Sequence, residues 1–495
     1  MDMDSLTALA KKRGLFWPAA EIYGGISGIY DYGHIGALIK RKFENLWISY
    51  FTMPDNYYFL DCSTILPEKP LVASGHAALF NDILVGCKKC GTYYRADVLL
   101  NELGIKVSEG ANADELNKVI KEKNIRCPKC KGTFEDAKAF NMMFDISLGP
   151  EKLEKGYLRP ETAQSIYLNF YREFNILRKK LPLGLATIGK AYRNEISPRQ
   201  GLYRMRELTQ AELQIFFDPE SWKPKLNLFK DRLVNVVMYF RGEQERLSIE
   251  KLIEVYNIPE FYAYHIALVD FFYEDILGVP SDKLRFFEKG GDSKAFYNKI
   301  HMDIEADVES WGGFKEIGGI HYRGDYDLSS HMKGSKQDLT VDSNNKKIIP
   351  NVLELSFGVD RNMWMLVDIF FKKLENRDVL QIKPYIAPYI AAVLPLQNDE
   401  NLEKKAEHIY KALRKTLNID IDTSGSIGRR YARMDEIGIP FCITVDYDTI
   451  NKESENYETV TVRFRDDKNQ IRIKINELDS FLHRQQETEI SIPNE

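Results

Sequence analysis

Between Tyr192 and Arg206 the chain reads YRNEISPRQGLYRMR, with arginines at 193, 199, 204 and 206 and one carboxylate, Glu195, among them. A buried strand does not tolerate unpaired charge, and a solvated loop has no need of such ordered charge. The planar guanidinium fork makes paired, charge-assisted bonds to phosphate, so this stretch suggests the binding of a phosphoryl group. Its surroundings read as a hairpin: ATIGKAYRNEI going out, SPRQG turning, RELTQAELQIFF returning. Side chains alternate faces along a strand. Arg193 and Glu195 therefore share a face, and on the return Gln210, Glu212 and Gln214 share another. Glu195 and Glu212 would suit an ammonium group, an amine or Mg²⁺. A solvated hairpin with cross-strand ion pairs is the competing reading.

Two further stretches carry chemistry. In PNVLELSFGVDRNMWMLVDIFF, from Pro350, a strand sets Glu354, Ser356 and Gly358 on one face and Leu353, Leu355 and Phe357 on the other. Gly358 permits a turn into a helix, which places Arg361 in the first helical turn. A cation is unfavourable there unless it holds an anion bound at that helix end. In GYLRPETAQSIYLNF, from Gly156, Arg159 and Glu161 flank a proline. Glu161 is either a fixed carboxylate at a pocket or the acidic first turn of a helix.

Four of the six cysteines form two tight pairs, Cys87/Cys90 and Cys127/Cys130. Two Cys-x-x-Cys knuckles offer four thiolates for tetrahedral Zn²⁺, a closed and therefore structural site. The eight histidines do not cluster at metal-ligand spacing; His76 and His321 read as structural. No P-loop and no dinucleotide glycine fingerprint is present.

These residues need a scaffold. The chain has 495 residues, which implies two or three domains. Its 44% hydrophobic and 28% charged content is that of a soluble globular protein. It contains no apolar run long enough for a membrane helix and no secretory signal at the start, so a reducing cytoplasm is expected and disulfides are not. A formal charge of -5 means that a polyanion must be met by local basic patches.

The expected fold class is α+β. An amphipathic helix is read over 36–51, serving either the core or a dimer contact. Residues 91–126, between the cysteine pairs, read as a polar, helix-prone insertion, and 220–300 as a second, mostly helical one. Prolines after Asp378 mark a boundary, giving a domain over 1–380 with insertions at 87–130 and 220–300. A small α/β domain follows over 384–495. In the latter, GSIGRRYARMDE offers Arg429, Arg430 and Arg433 for RNA contact, or else a helix solvated through ion pairs to Asp435 and Glu436.

In order along the chain, EIYGGISGIYDYG, ASGHAALFND, YRADVLL, LRPETAQSIYLNF, GKAYRNEISPRQGLYRMRELTQAEL, GGIHYRGDYDL and LELSFGVDR resemble the signature segments of glycyl-tRNA synthetases of the homodimeric class II type. The resemblance spans nearly the whole chain. It implies an antiparallel sheet flanked by helices, a C-terminal anticodon-binding domain, and a homodimer. It implies that glycine and ATP give glycyl-adenylate, from which the glycyl group passes to the 3′ end of tRNA(Gly). By the same resemblance, ATP with its Mg²⁺ would meet Arg193, Asn194, Glu195, the run Tyr203, Arg204, Met205, Arg206, Glu207 and Leu208, then Glu316, Ile317, Gly358 and Arg361. Arg193, Glu195 and Arg361 would be catalytic, and Glu316 would contact the Mg²⁺. Glycine would meet Arg95, Glu161, Glu212, Glu354 and Ser356, the serine crowding its α-carbon. The chain departs from the family pattern at His34, Ser165, Leu355 and Gly324. Two rivals share parts of this pattern: a related class II enzyme for another small amino acid, and a non-catalytic paralogue that binds nucleic acid as an accessory subunit. Retention of Arg193, Glu195, Arg204 and Arg361 weighs against the second.

Overall fold

The computed structural model describes every residue except 108–110, 151–153, 179, 197, 199, 292–296 and 487–495. Its centre is a nine-stranded sheet. In chain order the strands are β1 (Tyr58–Phe59), β2 (Leu183–Tyr192), β3 (Glu207–Phe217), β4 (Leu233–Val237), β5 (Gln244–Ser248), β6 (Leu284–Glu288), β7 (Ile300–Val308), β8 (Gly313–Gly324) and β9 (Asn351–Gly358). Their spatial order is β5-β4-β6-β7-β8-β9-β3-β2-β1. All neighbours are antiparallel except β2 with β1 and β4 with β6. The expected mixed architecture around an antiparallel sheet is thus present.

The sequence alternation sets the two faces. In β3 and β9, Ala211, Leu213, Ile215, Leu353, Leu355 and Phe357 are all buried on one face. Against it lie helix α1 (His34–Thr52), helix α3 (Glu260–Phe271) and helix α5 (Val359–Phe370). Trp47 and Phe51 of α1 meet the Phe357 ring at centroid distances of 5.7 and 5.0 Å. Each such aromatic burial contributes on the order of 2–3 kcal/mol. Helix α1 is therefore packed into the core, as the first of its two readings expects. Leu355 sits in this apolar layer with its strand pairing regular on both sides, so its departure from the family pattern leaves the backbone beside Ser356 undisturbed. The other face is closed at one end by helix α2 (Ala163–Ile176), where Phe170 stacks on Phe216 at 4.2 Å, and by helix α4 (Tyr326–Ser335), whose Leu328 shares that core. The remainder of that face is polar and open.

Residues 220–300 correct the mostly helical expectation. Among the described residues they contain two α-helices, Ile249–Tyr256 and α3, the latter continued by a π-helical turn over Phe272–Leu277, but also β4, β5, β6 and the start of β7. The short strands carry few residues of alternating pattern, whereas the aromatic stripe of α3 dominates the local composition.

The segment around the cysteine pairs has its own small apolar core, with Val85, Leu99, Leu100, Leu116 and Ile120. Helices Ala96–Glu102 and Ala113–Glu122 pack there, as the polar helix-prone reading expects. A C-terminal sheet of five strands follows: β10 (Ala391–Pro395), β11 (Ile419–Ile421), β12 (Phe441–Val445), β13 (Thr459–Phe464) and β14 (Gln470–Lys474), in the order β11-β10-β12-β13-β14. β10 pairs parallel with β11 and β12. Helix α6 (Glu400–Leu413) and helix α7 (Ile427–Glu436) connect them. Met434 and Ile437 of the α7 region join the core of the large domain.

Candidate active site

The open polar face of the sheet holds a cavity of about 140 Å³. Three carboxylates line it: Glu161 from the segment before α2, Glu212 from β3 and Glu354 from β9. All three are less than a tenth exposed. Register explains their convergence, since Glu212 lies opposite Ser356, and Ser356 and Glu354 face Gly319 and His321 of β8. Each carboxylate has a distinct set of partners. Glu161 accepts from Gln164 at 3.0 Å and lies 3.3 Å from His76 Nε2. Glu212 accepts from Thr162 Oγ1 at 2.6 Å and from Ser356 Oγ at 3.0 Å. Glu354 accepts from Gln214 at 2.8 Å and from Arg323 at 3.2 Å, and His321 Nδ1 bonds its other oxygen.

Those partners set the charges. Burial pushes Glu212 up, and the neighbouring Glu354 and Glu161 push it further, to about 8. Burial also opposes ionisation of Glu354, but Arg323 and His321 overcome it and hold the group at about 2. Glu161 is likewise held well below the usual carboxylate range against its burial, by His76 and then by Arg323. Arg323 is itself fixed by a bidentate pair to Asp327, at 2.7 and 2.8 Å. At neutral pH the pocket therefore carries two carboxylates and one carboxylic acid, an arrangement completed by an incoming cation.

The arginines stand beside this pocket. Arg193 lies one residue beyond β2, not within the strand; its Nε donates to the Pro160 carbonyl at 3.1 Å and its guanidinium faces the Phe80 ring. Arg204 lies 3.7 Å from Glu195. Arg361 donates to the carbonyls of Tyr203 and Glu316 at 3.0 and 3.1 Å, pairs with the Glu316 carboxylate at 3.0 Å, and lies over the Tyr203 ring. Helix α5 is positioned by Asp360, which accepts from the Thr209 amide and, at 2.6 Å, from the Tyr32 hydroxyl. Gly201, at φ +61, packs so closely on Trp364 that a Cβ would sit 2.1 Å from the ring. That contact fixes the approach of Tyr203 and Arg204. Ser197 and Arg199 of the expected turn lie outside the described residues.

Arg193, Glu195, Tyr203, Arg204, Met205, Leu208, Glu316, Gly358 and Arg361 all line the same cavity as the three glutamates and Ser356. Four of the expected phosphate-side residues do not. Asn194 is absent from the lining, Arg206 donates to the carbonyls of Ser27 and Glu195, and Glu207 pairs outward with Lys190 at 3.0 Å. Ile317 is buried, its carbonyl bound by Asn362. Arg95 also stands apart from the carboxylates. It is held by Asp97 at 2.6 Å and lines an adjoining cavity of about 470 Å³ together with Arg204, Glu316 and Arg361. Arg159 is structural, donating to the carbonyls of Lys190, Cys62 and Ser63. His76, His321 and Arg323 belong to the site, although the two histidines read as structural in the sequence. Their partners are distant in the chain; the available signal was that His321 and Arg323 alternate on one strand face with Gly319 between β-branched and aromatic residues.

The four paired cysteines converge. Their Sγ atoms all lie within 4.8 Å of one another, with Cys87 to Cys130 at 3.5 Å and Cys90 to Cys127 at 3.8 Å. Thiolates about 2.3 Å from a tetrahedral zinc stand at about this mutual separation, so the donor set fits that ion.

Comparison with known proteins bears on this geometry. Residues 148–370 match the tRNA synthetase class II core domain (G, H, P, S and T), and 391–485 match the anticodon binding domain. The prolyl-tRNA synthetase of Cryptosporidium parvum, in complex with L-proline and AMP, shares the fold at a TM-score of 0.58 and 14% identity, covering 98% of this chain and 76% of that one. Fold and site thus define a class II aminoacyl-tRNA synthetase. The chain is 37% identical to the glycine–tRNA ligase of Aeropyrum pernix, over 97% of this chain and 96% of the relative. It is 39% identical to that of Thermococcus gammatolerans, over 96% and 97% respectively. The chain belongs to the glycine–tRNA ligase family.

Proposed function

We propose that this protein activates glycine with ATP and transfers it to tRNA(Gly), with the three-carboxylate pocket gripping the amino acid. The observation that carries this reading is the convergence of Glu161, Glu212 and Glu354 beside Arg193, Arg204 and Arg361 in one cavity. Glycine offers no side chain, so it is selected by a strong hold on its ammonium group and by the absence of room at its α-carbon. Ser356, oriented by its bond to Glu212, supplies that obstruction.

The glycine carboxylate attacks the α-phosphorus of ATP in line, the bond to the bridging oxygen breaks, and pyrophosphate leaves. Arg193 holds the α-phosphate, while Arg204 and Arg361 bind the outer phosphates; rate comes from positioning and charge stabilisation. Glu195 holds Arg204. Mg²⁺, when bound with ATP, supplies charge neutralisation, and the Glu316 carboxylate at the cavity wall fits a hard cation. The terminal ribose hydroxyl of tRNA then attacks the glycyl carbonyl and AMP leaves. Cys87, Cys90, Cys127 and Cys130 would hold a structural zinc that ties the base of the 87–130 insertion. The domain division at about residues 380–384 separates chemistry from RNA reading. We place the protein in the cytoplasm as a homodimer, where a reducing pool keeps these thiols reduced and able to bind the metal. Among the described residues no helix is long and apolar enough to cross a membrane.

ATP–pyrophosphate exchange without tRNA, run against glycine, alanine, serine and proline, tests this reading. Exchange with glycine alone is expected. Exchange with another amino acid would move the specificity, and none with any would favour the non-catalytic accessory reading.

A further inference from the structure

Strand register carries two rows of residues across the polar face of the sheet. One row runs Glu212, Ser356, Gly319, Asp303 over β3, β9, β8 and β7. The next runs Gln214, Glu354, His321, His301 over the same strands. The residues between the rows, Leu213, Leu355, Ile320 and Met302, point into the apolar layer and are buried. Each row thus ends on a polar group to which the proposed reaction gives no part, Asp303 and His301.

His301 is engaged at both ring nitrogens. Its Nδ1 accepts from the Asn298 side-chain amide at 3.3 Å, which leaves the hydrogen on Nε2, and Nε2 donates to Asp303 at 3.0 Å. Asp303 also pairs with Lys289 at 3.4 Å. The imidazole in this arrangement is neutral, and burial, followed by the adjacent His321, pushes it toward that form. Two bonded nitrogens also fix the ring's orientation. His321 meets this fixed ring edge to face, with centroids 4.4 Å apart and planes at 82°. In that position His321 directs Nδ1 at the Glu354 carboxylate.

Gly319 forms the other side of the seat. A Cβ there would lie 2.5 Å from His321 Nε2 and 2.9 Å from its Cε1, and the three atoms nearest to it all belong to that ring. Glycine inside a strand weakens it and marks a close approach; here the imidazole is what approaches. The pairing of Gly319 with Ser356 on one side and Asp303 on the other is regular. A methyl group at 319 would therefore lift the ring from the sheet and break its bond to Glu354, with nothing else in its way.

Resting on the proposed grip of glycine by three carboxylates, we infer that Gly319 and His301 are positioning residues: together they seat the His321 imidazole, which orients Glu354 toward the substrate ammonium. In the full-length protein, Gly319→Ala is expected to raise the glycine KM in ATP–pyrophosphate exchange about tenfold, the loss of a hydrogen bond to an ionised group. The ATP KM should move less than about twofold. His321→Ala should raise the glycine KM at least as much. The doubly substituted protein should match His321→Ala alone, because the methyl group then has no ring to displace. Additive losses, or a Gly319→Ala variant that loses glycine and ATP alike, would overturn the inference. If Gly319→Ala does not fold, the double variant decides: it folds when the ring is the only obstacle, and its failure removes Gly319 from the account. A low-field N–H proton resonance of His321, bonded to the Glu354 carboxylate, reads the seat without substrate. It is expected in wild type, absent in His321→Ala, and shifted or lost in Gly319→Ala and His301→Ala; an unshifted signal in His301→Ala would overturn the role of His301. If wild type shows no glycine-dependent exchange while this resonance responds as stated, the reaction fails and the seat stands.

Discussion

At the scale of single residues, the three pocket glutamates are not equivalent. Glu354 and Glu161 are ionised because Arg323, His321 and His76 face them, whereas Glu212 meets only hydroxyls and two negative neighbours. Its folded pKa of about 8 lies above the ordinary value of 4.5. The neutral form is thus preferred in the free enzyme, and Glu212's contribution to stability is lost as pH rises from the ordinary value to about 8. Glycine binding has the opposite sign. The ammonium favours ionised Glu212, so a proton leaves on binding, and glycine affinity should rise up to tenfold per pH unit between about pH 6.5 and 8. Glu212→Gln should raise the glycine KM by roughly 10- to 100-fold, the loss of a charge-assisted bond, and flatten that profile. A profile of the same slope in the glutamine variant would show that another group titrates.

At the scale of elements, the 87–130 segment has a core of its own, but a small one joined by two cysteine pairs. Cores of this size need a staple. Protein folded with zinc present should hold about one zinc per chain. Chelation, or Cys127→Ser, should open residues 91–126 to proteolysis while the main sheet keeps its melting transition. Zinc-free protein with an equally resistant segment would remove the metal from the account. The same scale explains why the phosphate-side residues divide as they do. Register and alternation bring Glu212, Glu354 and Ser356 together, whereas Arg206 and Glu207, at the start of β3, turn outward to the loop and to Lys190.

At the scale of the whole molecule, the two domains are joined by buried charge. Asp435 is 1% exposed and receives Arg463 at two oxygens and Arg377 at 2.7 Å. Arg465 bonds the carbonyls of Ile382 and Gly438 across the same junction. Removing one member of a buried network leaves the others uncompensated, at about 3–5 kcal/mol. Asp435→Ala should therefore lower the thermal midpoint by several degrees. It should depress tRNA charging far more than glycine-dependent exchange, because the catalytic sheet does not depend on it. Equal loss of both activities would mean that the junction also supports the active site.

Much of the site was legible in the linear chain because strand alternation is local: LELSFG places Glu354 and Ser356 on one face wherever the strand goes, and AELQ does the same for Glu212 and Gln214. The cysteine spacing likewise announced four thiolates. Short-range pattern did not reveal the strands of 220–300, since each is only five residues long and an adjacent aromatic helix outweighs it. Nor did it separate Arg429, Arg430 and Arg433, which are chemically alike in sequence and differ only in what the fold packs around them. The sequence by itself determined the residue types, their faces and the order of the elements, because these follow from backbone geometry over a few residues. Only the tertiary structure decided that His76, His321 and Arg323 set the charge of the pocket, that Arg95 stands outside it, and that Arg430 is buried, its guanidinium bonded to Pro395, Thr423 and Asn398. Burial and electrostatic pairing arise between segments far apart in the chain.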